Sequence, residues 1–329
     1  MQLLARAGDN TILSPKITCG NGYTVKTKLT IGLCTRNCEN CITEALDSIV
    51  AQDYPHELLK LVVVDESDDH TREIIQEYVS GIDIPSQILH VSGRGLGAAR
   101  NLVIANTEGD FILWVDGDMI LSKDFVRKQT EFMAKNPRIA AARGQQIMES
   151  TGGVLATLET YSRAAGRMVN YQSKEAQSKA LGTGGAVYRV AALTKIGGFD
   201  ERMVGYCEDW DLEIRAKEAG WLVSMTSAQY YDYERHGMTW GDLWRKYWLR
   251  GHYTHYFLHK HSKKGLIKHY RMFPPAAFIA GLLSAQKVFK LMRKKVVFLL
   301  PIQHVFKMSA WYVGYIGSHF RSYAPHLSS

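Results

Sequence analysis

Beyond Asp242 the sequence contains no aspartate or glutamate, while the same 87 residues, of 329 in all, carry 15 lysines and arginines. The first 242 residues hold the remaining 25 basic side chains and all 32 acidic ones, a balance of −7, so the overall charge of +8 comes from the tail alone. Such a split points the C-terminal part at an anionic partner: a membrane surface, a phosphorylated lipid or nucleic acid. No nucleic-acid recognition module is visible, which leaves the first two. An apolar run of the ~20 residues that span a bilayer is also missing. The apolar stretch MFPPAAFIAGLLSA at 272–285 has 14 residues without charge. VVFLLPI and MSAWYVGYIG are shorter, with Pro301 and Lys307 between them. With Trp, Tyr, Lys and Arg on their flanks, these segments read as interfacial rather than spanning. Cysteine is sparse and odd in number, five in all, which argues against a disulfide framework and for a reducing setting. The opening MQLLARAGDN lacks the apolar core of a signal peptide, so the bulk of the chain is expected in the cytoplasm.

What is present is an alternation of short apolar runs with amphipathic ones. KLTIGLCT at 28–35 reads as a buried strand, followed by Ile42, Ala45, Leu46, Ile49 and Val50 at helical spacing. LLKLVVVDES (58–67), QILHVS and DFILWVDGD (110–118) are predicted strands, with TREIIQEYVSG and GLGAARNLVIANTEG as helices between them. This order predicts an α/β class: a doubly wound, mainly parallel sheet covered on both faces. Ligands of such sheets bind beyond the carboxyl ends of the strands, where VVVDES and WVDGD place their acids. From 119 to about 180 the pattern is mostly helical, with a short strand near RIAAARGQ; TGGAVYRV and WLVSMT read as further strands. The expected division is an N-terminal extension (1–27), an α/β domain (28–245) and a basic, aromatic helical tail (246–329).

Cys34, Cys38 and Cys41 form C-x3-C-x2-C, the spacing with which radical enzymes hold a four-iron cluster. Against that reading, Cys34 ends a strand, Cys38 and Cys41 enter a helix, and small semi-buried cysteines are common.

Asp116 and Asp118 stand at i, i+2 where a strand leaves the sheet, and paired hard oxygens suit Mg2+ or Mn2+. Taken alone, an acidic turn explains them equally well. Asp65 and Glu66 end another strand, where a carboxylate can accept from a base N–H or ribose hydroxyl; Asp68 or Asp69 can cap the next helix. In the cluster of Glu208, Asp209, Asp211 and Glu213, Glu208 and Asp211 would share a helix face while Asp209 points elsewhere, toward the cleft if the helix begins there, as a general base must. The competing reading is that acids simply favour a helix N-terminus.

The order TIGLCTRN, ALDSIVAQDYP, VVVDES, GLGAARN, VDGD, GGFDE and ED-x-DL resembles the inverting glycosyltransferases of family 2, with a GT-A fold, over roughly 28–250. The resemblance implies a nucleoside-diphosphate sugar donor. It places Thr35, Arg36, Asp65, Glu66, Arg94, Arg100 and Asp116 around that donor. Asp116, Asp118 and His236 become the site for Mg2+ or Mn2+, and Asp209 the catalytic base. Gly184, Gly185 and Glu208 fall on the side of a glycan or lipid-linked acceptor. The family often has Asp where Glu66 stands, and a Pro-Thr-Tyr-Asn type stretch where this chain has CTRN. WRKYW lacks the Gln and the order of the Q-x-x-R-W motif of processive synthases, so transfer of a single sugar is expected, at the cytoplasmic membrane face. The rivals are an iron–sulfur radical enzyme and a catalytically inactive sugar-nucleotide-binding partner.

Overall fold

The computed structural model describes residues 27–147, 152–167, 181–232, 238–261 and 273–320. Within them eight strands form one sheet: β1 (Leu29–Thr35), β2 (Leu59–Asp65), β3 (Ser86–His90), β4 (Phe111–Asp116), β5 (Met119–Leu121), β6 (Ile139–Ile147), β7 (Ala186–Arg189) and β8 (Leu222–Asp232). Their order is β3-β2-β1-β4-β7-β6-β8-β5. The half β3-β2-β1-β4 is parallel throughout, as the strand–helix alternation predicts. The other half is mixed: β7 runs antiparallel to both β4 and β6, β5 runs antiparallel to β8, and β6 pairs with β8 in parallel. The reversal of β7 has a consequence for the site. Because Leu113 pairs with Val187 and Phe111 with Arg189, β7 begins at the carboxyl end of β4, and the glycine-rich loop before it arrives beside Asp116.

The strands are buried on both sides because each alternates two sets of apolar residues. Leu61 and Val63 of β2 face α1 (Ile42–Val50) and α2 (Thr71–Ser80). Val62 and Val64 face α3 (Gly95–Ala105), where Val103 and Ala99 meet Trp114 of β4. Each fully buried Val, Leu or Ile of this kind contributes about 1.5–3 kcal/mol. α4 (Phe125–Lys135), α6 (Val190–Ile196) and α7 (Glu208–Glu218) complete the two layers, while α5 (Gly153–Arg167) packs against the C-terminal part of the chain.

Among the described residues the basic tail forms the α-helices α8 (Trp240–Lys260), α9 (Pro274–Met292) and α10 (Leu300–His319). The expected boundary at 245/246 falls inside α8, one continuous helix whose first turn is fixed by a capping box of Thr239 with Asp242, the last acid of the chain. The helices pack on the α/β domain: Phe257 of α8 joins Ile214 of α7, and Ala285 and Val288 of α9 join Leu158 and Tyr161 of α5. One helical stretch among the described residues, Lys295–His319, is long and apolar enough to cross a membrane by length and composition. The sequence reading stopped at Lys307, which the structure buries as an ion pair with Glu159 at 3.0 Å, so the helix runs straight through the charge.

α8 and α10 approach so closely that side chains are excluded at their crossing. A Cβ on Gly251 would run into the carbonyl of Trp311, and one on Gly314 into that of Trp248. Gly251→Ala is therefore expected to lower stability by at least the ~1–3 kcal/mol typical of overpacking. Gly317→Ala, where a Cβ meets open space within the same helix, is expected to raise it by about 0.5–1 kcal/mol. Thermal unfolding of the two variants checks the crossing; equal shifts would contradict it.

Candidate active site

The first turn of the α/β half is built around a buried carboxylate. Asp65, at the end of β2, has no exposed surface, and its Oδ1 accepts from Thr35 Oγ1 at 3.0 Å and Ser67 Oγ at 2.6 Å. Arg72 Nε approaches Oδ2 at 3.4 Å. Asp65 thus ties the β1 and β2 loops together from beneath, where the sequence reading had it meet the donor directly. Glu66 stands higher: its Oε1 accepts the backbone N–H groups of Arg94 at 3.0 Å and Gly95 at 3.4 Å, and Arg36 lies 3.8 Å from its other oxygen. Arg36 and Arg94 are exposed. Thr35, Arg36 and Glu66 line a cavity of about 450 Å3, closed on the far side by Tyr206 and by Arg245 and Tyr253 of α8.

Two carboxylates flank the loop before β7. A Cβ on Gly184 would collide with Asp116 Oδ2, so only glycine lets this backbone lie against the acidic turn. Two residues earlier, a Cβ on Gly182 would sit 3.5 Å from Asp209 Oδ2. The same short loop thus lies against the acidic turn of Asp116 at Gly184 and against Asp209 at Gly182. Gly185, next in the loop, is packed against the ring of Tyr230. Asp209 lies in the first turn of α7, half-buried, its Oδ1 accepting the N–H of Trp210 at 2.8 Å. The residue before the helix, Cys207, adopts a left-handed φ of 70°, a strained conformation for a residue with a side chain and one that concentrates at functional sites.

Two charged residues beneath the loop, Glu213 and Arg143, hold it in place. Glu213 is buried and accepts the N–H groups of Leu181 and Gly182, both at 2.7 Å, while Arg143 Nη1 donates to the Leu181 carbonyl at 2.6 Å. Burial pushes the Glu213 carboxyl up to about 7. Sequence reasoning gave Glu213 no role, although it stands at i+4 from Asp209 on the same face of α7. Arg100, read from the sequence as a donor contact, is buried instead, with Nη1 2.6 Å from Glu208 and its guanidinium 5.9 Å from the Trp114 ring centroid. Burial alone would lower its pKa; Glu208 first and Asp116 second outweigh that and hold it raised. Burial, and then the charge of Asp209, push the Glu208 carboxyl up to about 7 against the pull of Arg100. Arg100 is therefore a positive charge under the site, felt by both acidic clusters. His236 lies outside the described residues.

A second cavity, of about 470 Å3, opens on the other side of Tyr206, with Glu208 and Asp209 in one wall. Its opposite wall is the tail: Tyr247, Arg250 and Thr254 of α8 with Met308 and Trp311 of α10.

The cysteine run does not converge. Cys34 packs with the α3 side of the sheet and Cys38 with the α1 side, where its Sγ touches the place a Cβ on Gly117 would take, 2.9 Å away. Cluster ligation needs thiolates, and burial pushes the Cys34 thiol up to about 12. Cys38 is raised by a hydrogen bond with Cys41 and by burial. These cysteines are packing groups of the first loop and the acidic turn. Replacing all three by Ser or Ala is expected to leave donor turnover detectable and the iron content unchanged; stoichiometric iron in the parent, lost in the variant, would contradict this.

The profile of the family described as Glycosyl transferase family 2 matches residues 30–197, half of the chain. Staphylococcus aureus TarS, a poly(ribitol-phosphate) β-N-acetylglucosaminyltransferase, is 33% identical over 107 residues, 32% of this chain and 19% of TarS. The poly-β-1,6-N-acetyl-D-glucosamine synthase of Staphylococcus epidermidis is 24% identical over 165 residues, 50% of this chain and 40% of the synthase. The chain thus spans less than half the length of these curated relatives. In three dimensions it is similar to the mannosyltransferase PcManGT of Pyrobaculum calidifontis, solved with GDP-Man and Mn2+: TM-score 0.63 at 17% identity, over 90% of this chain and 88% of that one. With the sheet order and the paired acidic loops already described, these matches settle the assignment: the chain is a GT-A-fold member of glycosyltransferase family 2.

Proposed function

We propose that the protein is an inverting transferase that moves a single sugar from a nucleoside-diphosphate sugar to a hydroxyl or lipid-phosphate acceptor at the cytoplasmic face of the membrane. Its product would be a surface polysaccharide, a glycolipid or a lipid-linked oligosaccharide. The carrying observation is the glycine loop that lies against both Asp116, at Gly184, and Asp209, at Gly182. The donor set of the turn fits a divalent cation: two hard carboxylates, the number Mg2+ takes from protein when phosphates complete its shell, beside a backbone stripped of its Cβ. Asp116 and Asp118 would hold Mg2+ or Mn2+, with His236 as a third group. When bound, the metal supplies countercharge for the departing diphosphate.

The chain's own residues do the rest. Thr35, Arg36 and Glu66 frame the nucleotide cavity, and Asp65 fixes their loop. Asp209 takes the proton of the acceptor hydroxyl as its oxygen attacks the anomeric carbon from the face opposite the leaving group, which inverts that carbon in one displacement. An acceptor phosphate is already ionised and needs the base less. Glu213 and Arg143 keep the Leu181–Gly182 peptide, and with it the floor of the acceptor side, from relaxing away from Asp209. The test is donor turnover: release of nucleoside diphosphate from UDP-GlcNAc or GDP-Man with Mn2+. If neither these nor any other nucleotide sugar is consumed, the inactive-partner reading replaces the enzymatic one.

The membrane assignment draws on the outer face of the tail. Phe278, Ile279, Leu282 and Leu283 of α9 and Ile302 and Val313 of α10 are exposed. Lys290, Arg293, Lys294 and Lys295 are exposed at the end of α9. An apolar face rimmed by cations suits an anionic bilayer surface, where each basic residue that reaches it contributes about 1 kcal/mol. The intact chain is expected to sediment with anionic vesicles at low salt and to be released only in part by high salt, because salt screens charge but not apolar burial. Ile279→Ser with Leu283→Ser should make the release complete. A chain that stays in the supernatant at low salt would contradict the assignment.

A further inference from the structure

The second cavity is lined by a cation, Arg250, that forms no direct ion pair among the described residues. Glu159 of α5, fully buried, is the carboxylate behind this wall, and it is taken up by Lys307 at 3.0 Å and by Tyr247 Oη at 3.1 Å. Four cations, Lys307, Lys246, Arg250 and Arg163, together hold it well below the usual carboxylate range although burial would raise it. The Arg250 guanidinium lies between two aromatic rings, 5.0 Å from the centroid of Tyr247 and 5.8 Å from that of Tyr206. Burial works against the Arg250 charge, but Tyr247 and Glu159 hold it raised, while Arg163, which lines the same cavity, opposes it. Enclosed cations are ordinarily paired, and stacked arginine is preorganised for phosphate because its planar fork cannot turn away.

We infer that this cavity binds the phosphate group of the acceptor, with Arg250 as its principal ligand and the nucleophilic oxygen toward Asp209 in the opposite wall. The inference rests on the proposed transfer and narrows it to acceptors that carry a phosphate. The rest of the lining mixes the apolar and aromatic Leu181, Trp210, Met308 and Trp311 with the polar Arg143, Ser162 and Thr254, so the body attached to the phosphate meets a surface that suits a sugar face or a hydrocarbon chain. The tail therefore supplies half of the acceptor site, which explains why α8 and α10 are locked together by backbone contact at Gly251 and Gly314.

The test is calorimetric titration of the full chain, in EDTA, with glycerol 3-phosphate and separately with dodecyl phosphate below its micellar concentration. Both are expected to bind, and Arg250→Gln is expected to weaken them at least tenfold. Arg250→Lys, which keeps the charge but not the fork, should weaken them less, and Arg127→Gln on the remote surface of α4 should leave them unchanged. Unfolding temperatures of the variants show that each is folded. Tighter binding of dodecyl phosphate would identify a lipid-borne phosphate, and equal binding a soluble one; both support the site. Absence of binding, or equal affinity in the parent and Arg250→Gln, overturns it. If the parent still consumes a nucleotide sugar in that event, the transferase reading stands and only the acceptor assignment fails.

Discussion

Asp209→Asn is expected to lower sugar transfer to a hydroxyl acceptor by roughly 10²-fold or more, the scale of losing a general base. Affinity for the nucleoside diphosphate should stay within a few-fold, because Asp209 faces the acceptor cavity while the nucleotide cavity lies beyond Tyr206. The substitution preserves shape, and the amide can still accept the N–H of Trp210 that the carboxylate accepts now. Secondary structure and unfolding temperature should therefore be those of the parent. Activity within a few-fold of the parent would move the base elsewhere. Glu208 would be the next residue to examine, because its carboxyl is pushed up to about 7, where it can exchange protons near neutral pH.

Asp118→Asn is expected to abolish metal-dependent binding of the donor. One hard oxygen and one negative charge disappear beside the diphosphate, in a turn that offers only two carboxylates. Asp118 follows β4 and stands outside the sheet ladder, so the fold should survive. The measurement is the shift in unfolding temperature produced by a nucleoside diphosphate with and without Mn2+. The parent should show a larger shift with metal, and the variant the same shift in both conditions. An undiminished metal effect in Asp118→Asn would remove the acidic turn from the donor site.

The two predictions differ in how directly the sequence supported them. The Asp116–Asp118 turn was legible because a β-branched strand ends there and glycine separates two acids. Asp209 was legible as one of four acids at a helix start, and only the order of motifs singled it out. Asp65 and Arg100 were placed at the donor by resemblance, yet both are buried. Asp65 is enclosed by Thr35 and Ser67, and Arg100 by Glu208 and the Trp114 ring. A one-dimensional reading recognises a charge near a motif but not the layer in which its side chain ends. The reversal of β7 was equally hidden, since strand direction depends on how the chain returns from α5 rather than on alternation within AVYR. The tail shows the opposite limit. Lys307 looked like an interruption because its partner, Glu159, lies 148 residues away. Glu213 left a faint trace, its i+4 spacing from Asp209, which gains meaning only once Leu181 and Gly182 are seen above it.

Inversion at the anomeric carbon is the central claim, and the proton NMR spectrum of the first product of donor turnover tests it most directly. With an α-linked nucleotide sugar, Mn2+ and the full chain, a single displacement assisted by Asp209 requires the first-formed sugar, whether transferred or released to water, to appear as the β anomer. An α anomer appearing first, before mutarotation, would mean two displacements or a front-face path, and would contradict the assignment of Asp209 as base in a one-step inverting reaction.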